Sequence, residues 1–345
     1  MGLHAEIFEQ PACLERLLRT QRGAVEAVAR AIGERDIRFA FLAARGTSDN
    51  AGRYANYLWG AANALPLALA APSLFTYYQQ PPKLRNALVV GISQSGQSPD
   101  IVSVVREGRR QGNLTLAITN APDSPLAQAA DFVLDIQAGP EQAVAATKTY
   151  TAELMAIAML STALQGDTAR WAELERAADW AAQTLLLEAA VEQAAQRYRY
   201  MQQCVVLGRG YNYATAFEWA LKLKELTYVE AESFSSADFQ HGPVAMVARG
   251  FPVMAAAPQG KVFDSVLEAL AHLRQDLQAE LVVVSNAPQA LRLAQTALPL
   301  PEDLPEWLSP LVSILPAQLF CYHLTRAKGY DTENPRTIRK VTETH

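Results

Sequence analysis

The stretch Ala87-Leu88-Val89-Val90-Gly91-Ile92-Ser93-Gln94-Ser95-Gly96-Gln97-Ser98-Pro99 decides the fold. Six residues without a polar side chain are followed by a turn of hydroxyls and one glycine, then by a proline that suits the first turn of a helix. An unbroken apolar run of this length reads as a strand buried on both faces, the kind that parallel sheets use. The neighbouring segments keep the same rhythm. Phe39 to Ala44 is a short apolar run ending at Gly46, and a helical pattern follows from Ser48 to Gly60. A helix is expected from about Pro99 to Gly112, then strands at Leu114 to Thr119 and Phe132 to Ile136. Short strands alternating with helices predict an α/β domain with a doubly wound parallel sheet.

The second half repeats the first. Phe41-Leu-Ala-Ala-Arg-Gly46 has a counterpart in Val205-Val-Leu-Gly-Arg-Gly210, and Thr119-Asn-Ala-Pro122 in Ser285-Asn-Ala-Pro288. Both pairs share an offset of about 165 residues, which argues for a duplicated domain. The expected organisation is N-terminal helices over 1–35, a first domain over 36–165, connecting helices over 166–198, a second domain over 199–330 and a tail over 331–345. Ala, Leu and Glu dominate Tyr150 to Arg199, which reads as long connecting helices, and Pro310 to Ala327 reads as a helix.

A chain of 345 residues, half of them hydrophobic, can bury two such cores. The formal net charge is -5 and no basic block occurs, so a nucleic-acid partner is not expected. Cys13, Cys204 and Cys321 are scattered, with no C-x-x-C pair; neither a zinc site nor a disulfide framework is predicted. Buried thiols in a reducing cytoplasm are the simpler expectation. The opening residues lack a basic region followed by an apolar core. The stretch Ala64 to Phe75 is broken by Pro66 and Pro72, and Tyr150 to Leu164 carries Glu153. Both fall short of the roughly 20 residues of a membrane span, so no membrane partner is expected.

Candidate chemistry gathers at three places. Ser93, Gln94, Ser95 and Ser98 bring hydroxyls, a flexible Gly96 and a helix start together, a combination that favours an anion. Gly46-Thr47-Ser48 ends another strand in the same way, and open parallel sheets place ligands at the carboxyl ends of their strands. In Ala220-Leu-Lys-Leu-Lys-Glu-Leu226, Lys222 and Glu225 share a helix face while Lys224 points elsewhere. An exposed ion pair and a proton-shuttling pair are both consistent with that spacing. His241 stands in a Gly-Pro loop, either merely solvated or poised as a base near neutral pH.

Taken together these motifs resemble the double-SIS-domain (sugar isomerase) family, in particular the isomerase half of glucosamine-6-phosphate synthase and its stand-alone relatives. The resemblance runs from the first helix to the C-terminus and rests on Gly46-Thr47-Ser48, Ser93-Gln94-Ser95-Gly96, Ala138-Gly139-Pro140-Glu141, Ala220 to Glu225, His241-Gly242-Pro243, and Asn334-Pro335-Arg336 with Lys340. It implies that Thr47, Ser48, Ser93, Gln94, Ser95 and Ser98 bind a sugar phosphate and that Val144 makes a backbone contact to the sugar. Ala146 stands where the synthase has a substrate-contacting serine. Glu225 is implied as the acid/base between C1 and C2, and Lys222 as its helper in hydroxyl deprotonation. His241 is implied as the ring-opening residue, donated to the neighbouring subunit of a homodimer. Lys340 is implied as a tail lysine able to form a Schiff base with a ketose, in a tail that closes the site. No cofactor or metal is expected.

Gln97 stands where the synthase has an acidic residue, and the turn resembles the stand-alone deaminase-like branch more closely. The chain opens at the isomerase part, from which no encoded ammonia source is expected. The resemblance therefore implies glucosamine-6-phosphate deamination to fructose 6-phosphate and ammonia. A fructosamine-phosphate deglycase and an ammonia-dependent synthase-like isomerase use the same residues. A non-catalytic sugar-phosphate sensor is disfavoured because no DNA-binding helical domain fits within the first 35 residues.

Overall fold

In the computed structural model, which describes residues 2–340, helices α1 (Leu3–Phe8) and α2 (Gln10–Gly33) precede two five-stranded sheets. Each sheet belongs to its own compact unit. Of the described residues, the first-sheet unit comprises Ala12–Glu141, Lys148–Arg176 and 339–340; the second-sheet unit comprises 2–11, Gln142–Thr147 and Ala177–Ile338.

The first sheet holds β1 (Phe39–Ala43), β2 (Leu67–Leu69), β3 (Ala87–Ile92), β4 (Leu114–Thr119) and β5 (Phe132–Asp135), all parallel, in the order β2-β1-β3-β4-β5. Every residue of β3 and β4 is buried, as expected for strands covered on both faces. Helices α3 (Gly46–Asn63), α4 (Ser73–Thr76), α5 (Pro99–Arg110) and α6 (Pro125–Ala129) connect the strands. One face of the sheet packs Phe41, Val89 and Ala117 with Ile101, Val105 and Leu126.

The segment expected as long connecting helices is four separate ones: α7 (Lys148–Gln165), α8 (Thr168–Glu175), α9 (Ala177–Leu185) and α10 (Glu188–Arg197). Among them α7 is no connector. Its residues from Lys148 to Thr162 are all buried, and it lies along α3, where Trp59 Nε1 donates to the Ile157 carbonyl and Asn63 Nδ2 to the Ser161 carbonyl. A helix apolar on every side belongs inside a domain.

The second sheet holds β6 (Gln203–Gly208), β7 (Glu230–Ser235), β8 (Pro252–Ala256), β9 (Glu280–Ser285) and β10 (Thr296–Pro299) in the order β10-β9-β8-β6-β7. With β6 taken as the counterpart of β1, this is the first order repeated, again all parallel. Its helices are α11 (Tyr213–Lys222), α12 (Ser236–Gln240), α13 (Phe263–Gln275), α14 (Pro288–Leu293) and α15 (Ser309–Ala327). In both units the order reverses between the first and third strands, which opens a crevice at their carboxyl ends.

Two strands escape the apolar-run reading. β2 has three residues after Pro66, and β7 reads Glu-Ala-Glu-Ser-Phe-Ser; both are edge strands, where length and burial are dispensable. All three cysteines are buried. Burial pushes the Cys204 thiol up to about 12. No helix among the described residues is long and apolar enough to cross a membrane.

Burial on both faces gives a direct test. Val89 and Val90 point to opposite faces of β3 and are each fully buried. Val89→Thr and Val90→Thr should each cost about 1–3 kcal/mol in urea denaturation, since each buries a hydroxyl in an apolar layer. A sheet with one solvated face would show the loss at one position and not the other.

Candidate functional site

At the carboxyl ends of β1 and β3, two helices begin side by side. The first turn of a helix has N–H groups without intrahelical partners, and its dipole is positive at that end. Gly46, Thr47 and Ser48 form the first turn of α3, and the Ser93–Ser98 turn leads into α5, with Pro99 at its start. Ser98 is the cap residue, yet its side chain makes no capping hydrogen bond.

The turn is tightly fixed. Gly96 adopts φ +62°, and a Cβ there would lie 2.0 Å from Ser124 Oγ, so both conformation and space demand glycine. The Gly96 amide donates to Ser93 Oγ at 3.1 Å and the Gln97 amide to Ser95 Oγ at 3.3 Å. A serine oxygen that accepts from the backbone still has its O–H to give. The backbone is also anchored from outside the turn: Ser93 N donates to the Ile118 carbonyl, Asn120 N to that of Gln94, and Leu126 N to that of Gly96. Gln94, Ser95 and Ser98 are partly buried, as is Thr47. Ser48 differs from them: its hydroxyl donates to Glu153 Oε1 on α7 at 2.8 Å, inside the unit.

Also in this unit, Asn120 holds the 138–141 loop through Ala138 N and the Gly139 carbonyl. The buried Glu141 carboxylate accepts from Thr149 N at 3.1 Å and Thr149 Oγ1 at 2.8 Å, and Lys340 Nζ lies 2.6 Å from its Oε2. The last five residues of the tail expected to close the site lie outside the described residues.

The second-sheet unit carries the titratable pair. Lys222 ends α11, and its side chain is 1% exposed. Its Nζ lies 2.5 Å from Glu225 Oε2 and 3.4 Å from Glu218 Oε1, with Glu218 wholly buried and Glu225 25% exposed. That burial overturns the exposed-ion-pair reading; Lys224, off that face, is exposed. Glu225 does not sit on a regular helix. After Lys222 the chain widens into a π-turn, Leu223–Thr227, which Tyr228 ends at φ +57°. Such turns are frequent at functional sites. His241 is exposed, directly after α12, and precedes Gly242 at φ +135°.

Val144 and Ala146, both partly buried, lie in the Gln142–Thr147 segment of the same unit. The buried Glu6 carboxylate takes the Gln142 amide at 2.5 Å and the Ala143 amide at 3.2 Å, and Gln318 Nε2 donates to the Thr147 carbonyl. Glu218 had a sequence signal, four residues before Lys222. Glu6 had none, because its partners lie more than a hundred residues away.

The turn after β8, at Gln259-Gly260-Lys261, occupies the place that Ser93–Ser98 has in the first unit. It carries no serine, and a Cβ on Gly260 would lie 2.0 Å from Glu306 Cδ. A carboxyl group therefore rests on this second turn, where a phosphate would meet like charge.

The SIS domain model matches residues 35–163 and 199–327, one copy on each sheet. Glutamine–fructose-6-phosphate aminotransferase [isomerizing] of Thermus thermophilus is 33% identical over 349 residues, covering 97% of this chain and 57% of that protein. The chain thus spans little more than half the length of such relatives. A solved structure from Silicibacter pomeroyi, provisionally named a phosphosugar isomerase, is 32% identical with a TM-score of 0.86, over 96% of this chain and 100% of that one. The C-terminal domain of glucosamine-fructose-6-phosphate aminotransferase from Francisella tularensis gives 26% identity and a TM-score of 0.84, over 96% and 98% of the two chains. With two copies of the domain and relatives along almost its whole length, the chain belongs to the family of double-SIS-domain sugar isomerases.

Proposed function

We propose that the chain is a glucosamine-6-phosphate deaminase that couples ring opening and isomerisation to release of fructose 6-phosphate and ammonia. The observation that carries this reading is the buried Lys222 ammonium between the Glu218 and Glu225 carboxylates at a π-turn. Burying charges costs several kcal/mol each, and a site retains them where their chemistry is used.

Thr47, Ser93, Gln94, Ser95 and Ser98 take the phosphoryl group through hydroxyls, an amide and the positive ends of the two helices. Ser48, committed to Glu153, acts by holding α3 in place. Val144 offers its backbone to the sugar, and Ala146 lines the same segment. His241 assists opening of the pyranose ring. Glu225 removes the proton from C2 of the open aldehyde and returns it to C1, which turns the amino aldehyde into a 2-imine. Lys222 assists by steering protons at the hydroxyls. Water then adds to the imine carbon, and ammonia leaves with the C–N electron pair. Lys340 starts on Glu141 and must leave that carboxylate and shed a proton before it can join a ketose as a Schiff base.

A substrate panel tests the reaction. Glucosamine 6-phosphate should release ammonia and fructose 6-phosphate with the purified chain alone. Release of an amino acid from a fructosamine 6-phosphate, with no ammonia from glucosamine 6-phosphate, would identify a deglycase instead. Amino-sugar synthesis from fructose 6-phosphate and ammonium, without measurable deamination, would identify the reverse reaction.

Glu225→Gln keeps size and hydrogen bonding but cannot carry the proton. Turnover should fall at least about a hundredfold, while sugar-phosphate affinity changes little. Full activity in this variant would defeat the acid/base assignment.

We propose further that the enzyme is a homodimer in which His241 serves the neighbouring subunit's Glu225. Mixing inactive His241→Ala chains with inactive Glu225→Gln chains, after unfolding and refolding together, should then restore roughly a quarter of normal activity. No recovery in mixed dimers would place both groups in one subunit.

A further inference from the structure

We propose that the Arg45–Asp100 ion pair is the positioning device of the phosphate turn, tying the loop after β1 to the turn after β3 so that their hydroxyls bear on one phosphoryl group. The inference rests on the reading of Ser93–Ser98 as a phosphate site. Arg45 is the residue before Gly46 and Thr47, and its Nε and Nη2 both lie 2.8 Å from Asp100 Oδ2. Asp100 is the second residue of α5, two after Ser98, and its Oδ1 accepts from Ile101 N at 2.9 Å. The pair therefore bridges two loops that come from neighbouring strands and carry the hydroxyls of both.

This is not an ordinary surface pair. The Asp100 side chain is 1% exposed while that of Arg45 is 52% exposed. A carboxylate so buried is tolerable only with partners at defined positions, so its place fixes the place of the guanidinium. Two N–H groups converging on one charged oxygen make a strong and directional tie. The Ser93–Ser98 stretch itself contains no cation, and its donors act only if they point to a common centre.

The second unit supplies an internal comparison. Arg209 follows β6 as Arg45 follows β1, with nearly the same backbone: φ −150° and ψ 154° against φ −139° and ψ 152°. Its Nη1 donates to Ser265 Oγ, near the start of α13. Ser265 lies at the duplication offset of about 165 residues from Asp100. An arginine tie to the helix start is thus common to both units, and the frame stands with a serine as acceptor. The carboxylate occurs only in the unit whose turn carries hydroxyls. In the other unit the turn lacks serines and lies beneath Glu306. The charge on Asp100 therefore goes with anion binding and not with the fold.

The test installs the second unit's chemistry in the first. In the full chain, Asp100→Ser should fold normally, with Tm within about 5 °C of wild type. Affinity for inorganic phosphate, measured by calorimetry, should fall at least about tenfold, and KM for glucosamine 6-phosphate should rise by a similar factor. The value of kcat at saturation should change less than about threefold, because the proton-transfer groups are untouched. Ser265→Ala should leave phosphate affinity as in wild type. If Asp100→Ser binds phosphate as tightly as wild type, or lowers Tm with no change in affinity, the positioning role is wrong. Should Asp100→Ser fail to fold, Arg45→Met decides: a tenfold weaker, folded variant supports the clasp, and an unchanged one overturns it. A wild-type chain that binds no phosphate at all defeats the phosphate-site reading itself, and the clasp with it.

Discussion

Helices α3 and α5 start at the carboxyl ends of β1 and β3, where first-turn N–H groups lack a carbonyl one turn earlier in the helix and must find other acceptors, as Ile101 N finds Asp100 Oδ1. The rest of the first-sheet unit is arranged around that constraint. Gly96 lets the backbone turn against Ser124, and the serine oxygens take part of the N–H excess inside the turn. Their own O–H groups then add to the donors facing outward. The sheet supplies rigidity, since Ser93, Asn120 and Leu126 anchor the turn to β4 and α6 through backbone bonds. On the proposed reading an anion completes this site without any compensating cation in the turn, which is compatible with a chain of net charge -5.

The Lys222 cluster answers the opposite problem. A single buried ammonium needs more than one acceptor, and Glu218 and Glu225 provide them from either side in sequence. Glu218 is sealed, so it acts as a fixed counter-charge. Glu225 is a quarter exposed, so of the two carboxylates it is the one within reach of something outside. The π-turn matters here because it displaces Glu225 from the regular helical register while keeping its bond to Lys222.

How much of this was legible in the sequence follows from the range of each interaction. β1, β3, β4 and β5 are local apolar runs, and their positions were read to within a residue or two. The Ser93–Ser98 turn was legible because strand, glycine, hydroxyls and helix start are contiguous. β2 and β7 were not, because an edge strand is defined by its neighbour and not by its own composition. The burial of Lys222 was equally hidden: the same Lys-x-x-Glu spacing serves a wet surface or a sealed core, and only the surrounding fold decides. Asp100 looked like an ordinary acidic residue in a helix's first turn; its partner is 55 positions away. Glu6 and Glu306 were silent for the same reason.

The duplication then explains why the two units can hold different chemistry on one frame. α3 and α11 are counterparts, each following the first strand of its sheet. On the proposed reading the first unit uses the start of its helix, where the dipole is positive and the residues suit an anion. The second unit uses the far end of α11, where the dipole is negative, and places the Lys222 ammonium at its last residue. A helix offers one sign of charge at each end, so a single unit of this size serves an anion and a proton carrier poorly at the same end. Two copies remove that conflict. One turn carries hydroxyls and the Arg45–Asp100 pair; the other carries no serine and lies against Glu306, while the Arg209 tie takes the corresponding place in its frame.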